Sequence, residues 1–168
     1  GPDGCLYIVD MYHGIIQEKA YITDYLRGEI LKAGYEKNIG RGRIYRVVRE
    51  GVTPGPKPNL LDASSAELVK HLAHPNGWWR DTSQSLLVTR QDQSVVPSLR
   101  EMATGHPNTL GRLHALWTLN GLGQVDDKII FALITDRDPR LRAAAIRAME
   151  DSLRSATPPE YYQKLRTL

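Results

Sequence analysis

A single cysteine, Cys5, stands in 168 residues. That excludes an internal disulfide and a Cys-x-x-Cys-His haem attachment within these residues. No apolar run approaches the ~20 residues a membrane-spanning helix needs, so no membrane span is predicted, and no charged-then-apolar targeting segment opens the chain. A surplus of one charge is also scarce: 22 Lys and Arg face 19 Asp and Glu, leaving +3. Nucleic-acid-binding domains cluster their surplus on one face, and no nucleic-acid role is predicted.

What is present is a repeated break between helices, from Ser64 to Leu153. Pro75, Pro107 and Pro139 recur at equal spacing in His74-Pro75-Asn76, His106-Pro107-Asn108 and Asp138-Pro139-Arg140. Proline costs ~3 kcal/mol inside a helix but is tolerated in the first turn, where its missing N–H would have no partner. Each proline therefore reads as the start of a second helix after a tight turn. Apolar residues fall three or four apart on both sides: Leu68, Val69 and Leu72, then Trp79 and Leu86; Val95, Leu99 and Met102, then Leu113, Leu116 and Trp117; Ile129, Ile130 and Leu133, then Leu141, Ala145, Met149 and Leu153. The expected fold is mainly α, with three helix pairs stacked as a solenoid over residues 63–168. Arg80 and Arg112 lie five residues after their prolines and Arg142 only three after Pro139, which reads as a slip in helix phase. Pro158-Pro159-Glu160 predicts one more helix, carrying Tyr161, Leu165 and Leu168. Both ends of the chain read as cut from something longer.

Residues 1–50 have a different grammar. Gly1-Pro2-Asp3-Gly4 is a turn by composition, followed by a strand, Leu6-Tyr7-Ile8-Val9-Asp10. Thr23 caps a short helix over 23–31, which Gly34 is placed to end. Arg43–Val48 is a second strand. Two strands make no independently stable sheet, so the expectation is that their partners lie upstream of Gly1. Gly51-Val52-Thr53-Pro54-Gly55-Pro56-Lys57-Pro58 opens an extended linker over 51–62, and Ser64-Ser65-Ala66-Glu67 is a capping box that starts the helices.

Asp138-Pro139-Leu141-Arg142-Ala145-Ala148 resembles a HEAT-type repeat, with a period shorter than the usual ~40–47 residues. Gly1-Pro2-Asp3-Gly4 with Leu6–Asp10 resembles the turn-and-strand phrase of β-propeller blades in the glucose/sorbosone dehydrogenase-like family. Met11-Tyr12-His13-Gly14-Ile15-Ile16-Gln17, Tyr21-Ile22-Thr23, Tyr25-Leu26-Arg27 and Gly42–Val47 look like the last blade of a bacterial subgroup of membrane-bound dehydrogenases. In that subgroup the propeller is followed by HEAT-like repeats and often by a c-type cytochrome domain. The resemblance extends through Leu72–Trp78 and Leu113–Leu119. It implies a periplasmic or extracytoplasmic parent that oxidises a sugar alcohol or aldehyde by hydride transfer to pyrroloquinoline quinone, with a histidine base and a calcium ion orienting the quinone. It implies upstream propeller blades and a downstream cytochrome domain as partners. The catalytic histidine and most cofactor contacts belong to earlier blades, so no catalytic residue and no cofactor is assigned to this stretch.

Four residues are candidates. Asp10 and His13 end a strand where propeller loops face the channel, and are weighed as an oriented base against turn-satisfying polar groups. His13 stands where the subgroup is expected to carry arginine. Trp78 and Arg112 are candidates for a partner-binding surface on the helices, whereas Trp79 and Trp117 read as core. His71 and His74, three apart, could share a metal, but a site needs more ligands, and no metal site is assigned. Arg137, Arg140, Arg142 and Arg147, interleaved with Asp136, Asp138 and Glu150, read as an ion-paired helix surface. The expected function is thus the carboxyl-side part of a quinoprotein-type sugar or alcohol dehydrogenase, in which these residues form a non-catalytic helical scaffold. The alternative is a HEAT-like protein-interaction module with no redox activity in its parent.

Overall fold

A computed structural model describes residues 1–150. Leu153 and the helix expected after Pro158 lie outside the described residues. Among the described residues the chain is mainly helical, with seven α-helices and one two-stranded sheet. It divides into two units, Gly1–Lys57 and Pro58 onward, and the division falls inside the expected linker.

In the first unit, the opening turn closes with the Gly4 N–H donating to the Gly1 carbonyl at 3.1 Å, and Gly4 takes a φ of 81° that favours glycine. Strand β1, Leu6–Asp10, pairs antiparallel with β2, Arg43–Val47, with Leu6 opposite Val47, Ile8 opposite Tyr45 and Asp10 opposite Arg43. Side chains alternate across the sheet. One face therefore carries Leu6, Ile8, Tyr45 and Val47, and the other carries Tyr7, Val9, Ile44 and Arg46. All of these are exposed, Val9 at 73% and Ile44 at 70%. Helix α1, Asp24–Ala33, is capped by the Thr23 hydroxyl and ended by left-handed Gly34, as its sequence predicts. Ile30 is the one buried hydrophobic residue among the described residues of this unit.

The second unit holds the core. Its helices are α2 Ser65–His71, α3 Gly77–Arg90, α4 Val96–Gly105, α5 Thr109–Gly121, α6 Asp127–Ile134 and α7 Pro139–Ala148. They pack as the pairs α2–α3, α4–α5 and α6–α7; α5 lies between α3 and α7, and α4 touches α6. Leu68, Leu72, Leu87, Leu99, Leu116, Leu119, Ile130, Leu133 and Leu141 are fully buried in one continuous cluster. Each such side chain contributes ~1.5–3 kcal/mol by leaving water. Leu60 belongs to the same cluster. The expected linker therefore stops short of residue 62, because the Arg90 guanidinium donates to the carbonyls of Leu60, Leu61 and Ala63 and draws that loop onto the helices.

The prolines are not equivalent. Pro139 is the first residue of α7, as predicted, but Pro75 and Pro107 stand one residue before the caps Asn76 and Asn108. Counted from the caps Asn76, Asn108 and Asp138, the three arginines Arg80, Arg112 and Arg142 occupy one position. So do the buried Ser83, Ala115 and Ala145, and the buried Leu87, Leu119 and Met149. The third pair has no phase slip; its proline has moved from one side of the cap to the other.

Candidate functional site

The polar groups of the second unit gather at the turns that start α3, α5 and α7. Each cap uses its side-chain oxygen in the same way: Asn76 accepts from Trp78 N, Asn108 from Leu110 N and Asp138 from Arg140 N, all at 2.9 Å. Two residues before each cap, a second acceptor takes the cap's own N–H. It is His74 Nδ1 at 3.0 Å, His106 Nδ1 at 3.1 Å and Asp136 Oδ1 at 2.9 Å. Imidazole and carboxylate are interchangeable here because the turn asks only for an acceptor. The arginine four residues past the cap then neutralises the turn's carbonyls. Arg80 donates to His74 and Pro75, and Arg142 to Asp136 and Arg137.

Arg112 holds the same position but bonds elsewhere. Its Nε donates to the Ala103 carbonyl at 2.9 Å and its Nη2 pairs with Asp136 of the next helix pair. Both side chains are about 15% exposed, at 15% and 14%. A second such tie joins Arg100 on α4 to Asp126, the cap of α6, and to the Gln124 carbonyl. Burial by itself would raise both carboxyls, but N–H donors and these guanidinium groups hold Asp136 and Asp126 below the usual carboxylate range. The first and second pairs are joined by Asn108 Nδ2 on the Ala73 carbonyl, Gln91 Nε2 on the Gly121 carbonyl, and His114 Nδ1 on Gln84 Oε1 at 2.7 Å. Gly111 allows this closeness, since a Cβ there would stand 3.0 Å from the Ala73 methyl.

The aromatic residues form a second cluster. Trp79 stacks on His74 with centroids 5.0 Å apart, and His71 leans on it at 5.1 Å. Trp78 meets Trp79 edge-on and is 37% exposed. Of the residues singled out from sequence, Trp78 therefore does lie at the surface. Arg112 is instead spent inside the helix array. Asp10 pairs with Arg43 at 3.0 Å and accepts from Tyr12 N, while His13 Nδ1 meets the Ile15 carbonyl in its own loop. No hydrogen bond joins Asp10 to His13, so the structure does not assemble them as a base and its orienting carboxylate. No group of three or more metal-ligating side chains forms among the described residues.

Sequence reasoning read His74 and His106 as turn-capping residues, as found, but missed the caps Asn76, Asn108 and Asp138 and the Arg112–Asp136 and Arg100–Asp126 ties. Asn76 and Asn108 stand in the right place for caps, but the more conspicuous prolines drew the register. The ion pairs bridge different helix pairs, and no local spacing encodes them.

Residues 1–51 match a family model described as a domain of unknown function (DUF7133). The match covers the strand-bearing unit and none of the helix pairs. No curated protein and no solved structure matches the chain.

Proposed function

We propose that the helix pairs form a HEAT-like solenoid that serves as a protein-interaction scaffold, attached to the closing strands of a β-propeller. The observation that carries this reading is the recurrence of one cap arrangement in all three pairs, a side-chain acceptor on the cap's own N–H and the cap oxygen on the N–H two residues further on, with polar ties running from each pair to the next. In such an array each unit buries its apolar face only against its neighbours. Repeating one joint builds an extended surface, the form of binding platform that stacked repeats supply. The turn histidines and arginines are engaged in holding that surface together.

The propeller half of the proposal is supported by a sheet that carries exposed apolar side chains on both faces, beside the charged Asp10, Arg43 and Arg46. A strand pair with one solvated side alternates apolar and polar residues, whereas strands covered on both faces do not. Leu6, Ile8 and Tyr45 on one side and Val9 and Ile44 on the other fit the second case. In this reading further blades and a cytochrome domain belong to the same polypeptide, which is an extracytoplasmic sugar or alcohol dehydrogenase using pyrroloquinoline quinone and calcium. The coding DNA on either side tests it: propeller blades upstream and Cys-x-x-Cys-His downstream are expected, and a start codon at Gly1 with a stop after Leu168 would remove the dehydrogenase parent. The scaffold half is tested by assaying the purified chain with glucose, quinone, calcium and a dye acceptor. No dye reduction is expected, and turnover would overturn the non-catalytic reading.

A further inference from the structure

A cavity of about 410 Å³ lies at the first helix pair, between α2, the loop before it and α3, lined by Asn59, Leu60, Asp62, Ala63, Glu67, His71 and Trp79. Its walls are built rather than incidental. Arg90 pins the loop by donating to three of its carbonyls, two of them at 2.6 and 2.7 Å. Glu67 and His71 stand one helical turn apart on α2 and so share a face. The Trp79 indole is held in place by the two imidazoles already described.

The formal charge of the lining is negative. It contains two carboxylates and no lysine or arginine, together with an indole, the His71 imidazole, the Asn59 amide, Leu60 and Ala63. The Ser64 hydroxyl and N–H both donate to Glu67 Oε2 at 2.8 Å and hold that carboxyl below its ordinary value. Glu67 is therefore an anion at neutral pH, with its other oxygen outside the capping box. An aromatic face together with carboxylates favours a cation, and apolar walls favour one carried on a hydrocarbon stem.

We propose that this cavity binds an alkylammonium group, such as the end of a lysine side chain. The proposal adds a ligand class to the scaffold reading and does not depend on it. The test titrates the whole chain with n-butylammonium chloride and follows the Trp79 indole N–H by NMR, assigned with Trp79→Phe. Sodium chloride and the uncharged n-butanol are run as controls. A saturable shift with butylammonium alone is expected. Glu67→Gln and Asp62→Asn should each weaken binding about threefold, the size expected of an exposed charge pair. Glutamine preserves the capping box, so Glu67→Gln should leave the fold intact, and an unchanged far-UV spectrum checks this. A peptide, acetyl-Gly-Lys-Gly-amide, separates the two sources of the group: tighter binding than butylammonium assigns the site to a protein lysine, and weaker binding to a free amine. The absence of a shift, an equal response to butanol, or indifference to both carboxylate substitutions would overturn the proposal.

Discussion

Arg112 and Asp136 are both largely withdrawn from solvent, and their pairing sets what a substitution at either must cost. Removing the guanidinium takes the donor away from a partly buried carboxylate and from the Ala103 carbonyl, so Arg112→Ala should lower the unfolding free energy by ~1–3 kcal/mol. Urea denaturation would register this as a lower midpoint at unchanged slope; an unchanged midpoint would show that the pair is energetically idle. His114 gives a prediction of opposite chemistry. Burial pushes its imidazole below the ordinary 6.5, against the raising influence of Asp81, so the folded state prefers the neutral ring. Its contribution is complete above pH 6.5 and is lost as pH falls below that value toward the folded-state pKa. Stability measured from pH 7.5 to 5 should therefore decline, and His114→Gln should flatten the decline. A profile that His114→Gln leaves unaltered would place the titration elsewhere.

At the scale of the element, the repeated register turns one helix into a control for another. Ser83 in α3 is fully buried with its hydroxyl unpartnered, at the position that Ala115 and Ala145 fill in α5 and α7. Ser83→Ala should therefore raise stability by ~1–2 kcal/mol, since it removes a buried polar atom without a partner and improves helix propensity. A lower thermal midpoint for Ser83→Ala would instead reveal a hydrogen bond that the geometry does not provide. The helices themselves were legible in the sequence because three-to-four spacing, the Ser64–Glu67 capping box and the Thr23 cap are local signals with local causes. Their register was not. A proline just before the cap and a proline at the first helical residue satisfy the same steric rule, so the equal spacing of Pro75, Pro107 and Pro139 carried no information about which arginines correspond. The fate of Arg112 was hidden for a related reason: its partner comes from another helix pair, at a distance along the chain that only packing defines. Asp10 and His13 show the reverse case, in which sequence neighbours suggested a dyad and each side chain is used by its own turn or strand.

At the scale of the whole molecule, apolar burial is divided unequally between the two units. Residues from 58 onward contain the shared core, while the first unit leaves both faces of its sheet uncovered. A chain of residues 58–168 made alone should keep its helical spectrum and melt cooperatively, whereas residues 1–57 alone should show fast amide exchange in Leu6–Asp10. Slow exchange in that isolated strand would mean that two strands suffice here. The cap-based register has a further result for the array. Gln91 and Gly123 close α3 and α5 at equivalent positions with similar left-handed φ values of 53° and 66°, so residues 92–123 can be excised as one module by joining Gln91 to Gln124. The shortened chain would bring Arg80, whose buried Nε has no partner, up to the Asp136 carboxylate that Arg112 held. A single unfolding transition in the excised protein would show that the joints are interchangeable parts, and that the length of this array can change by whole modules without redesign of what remains.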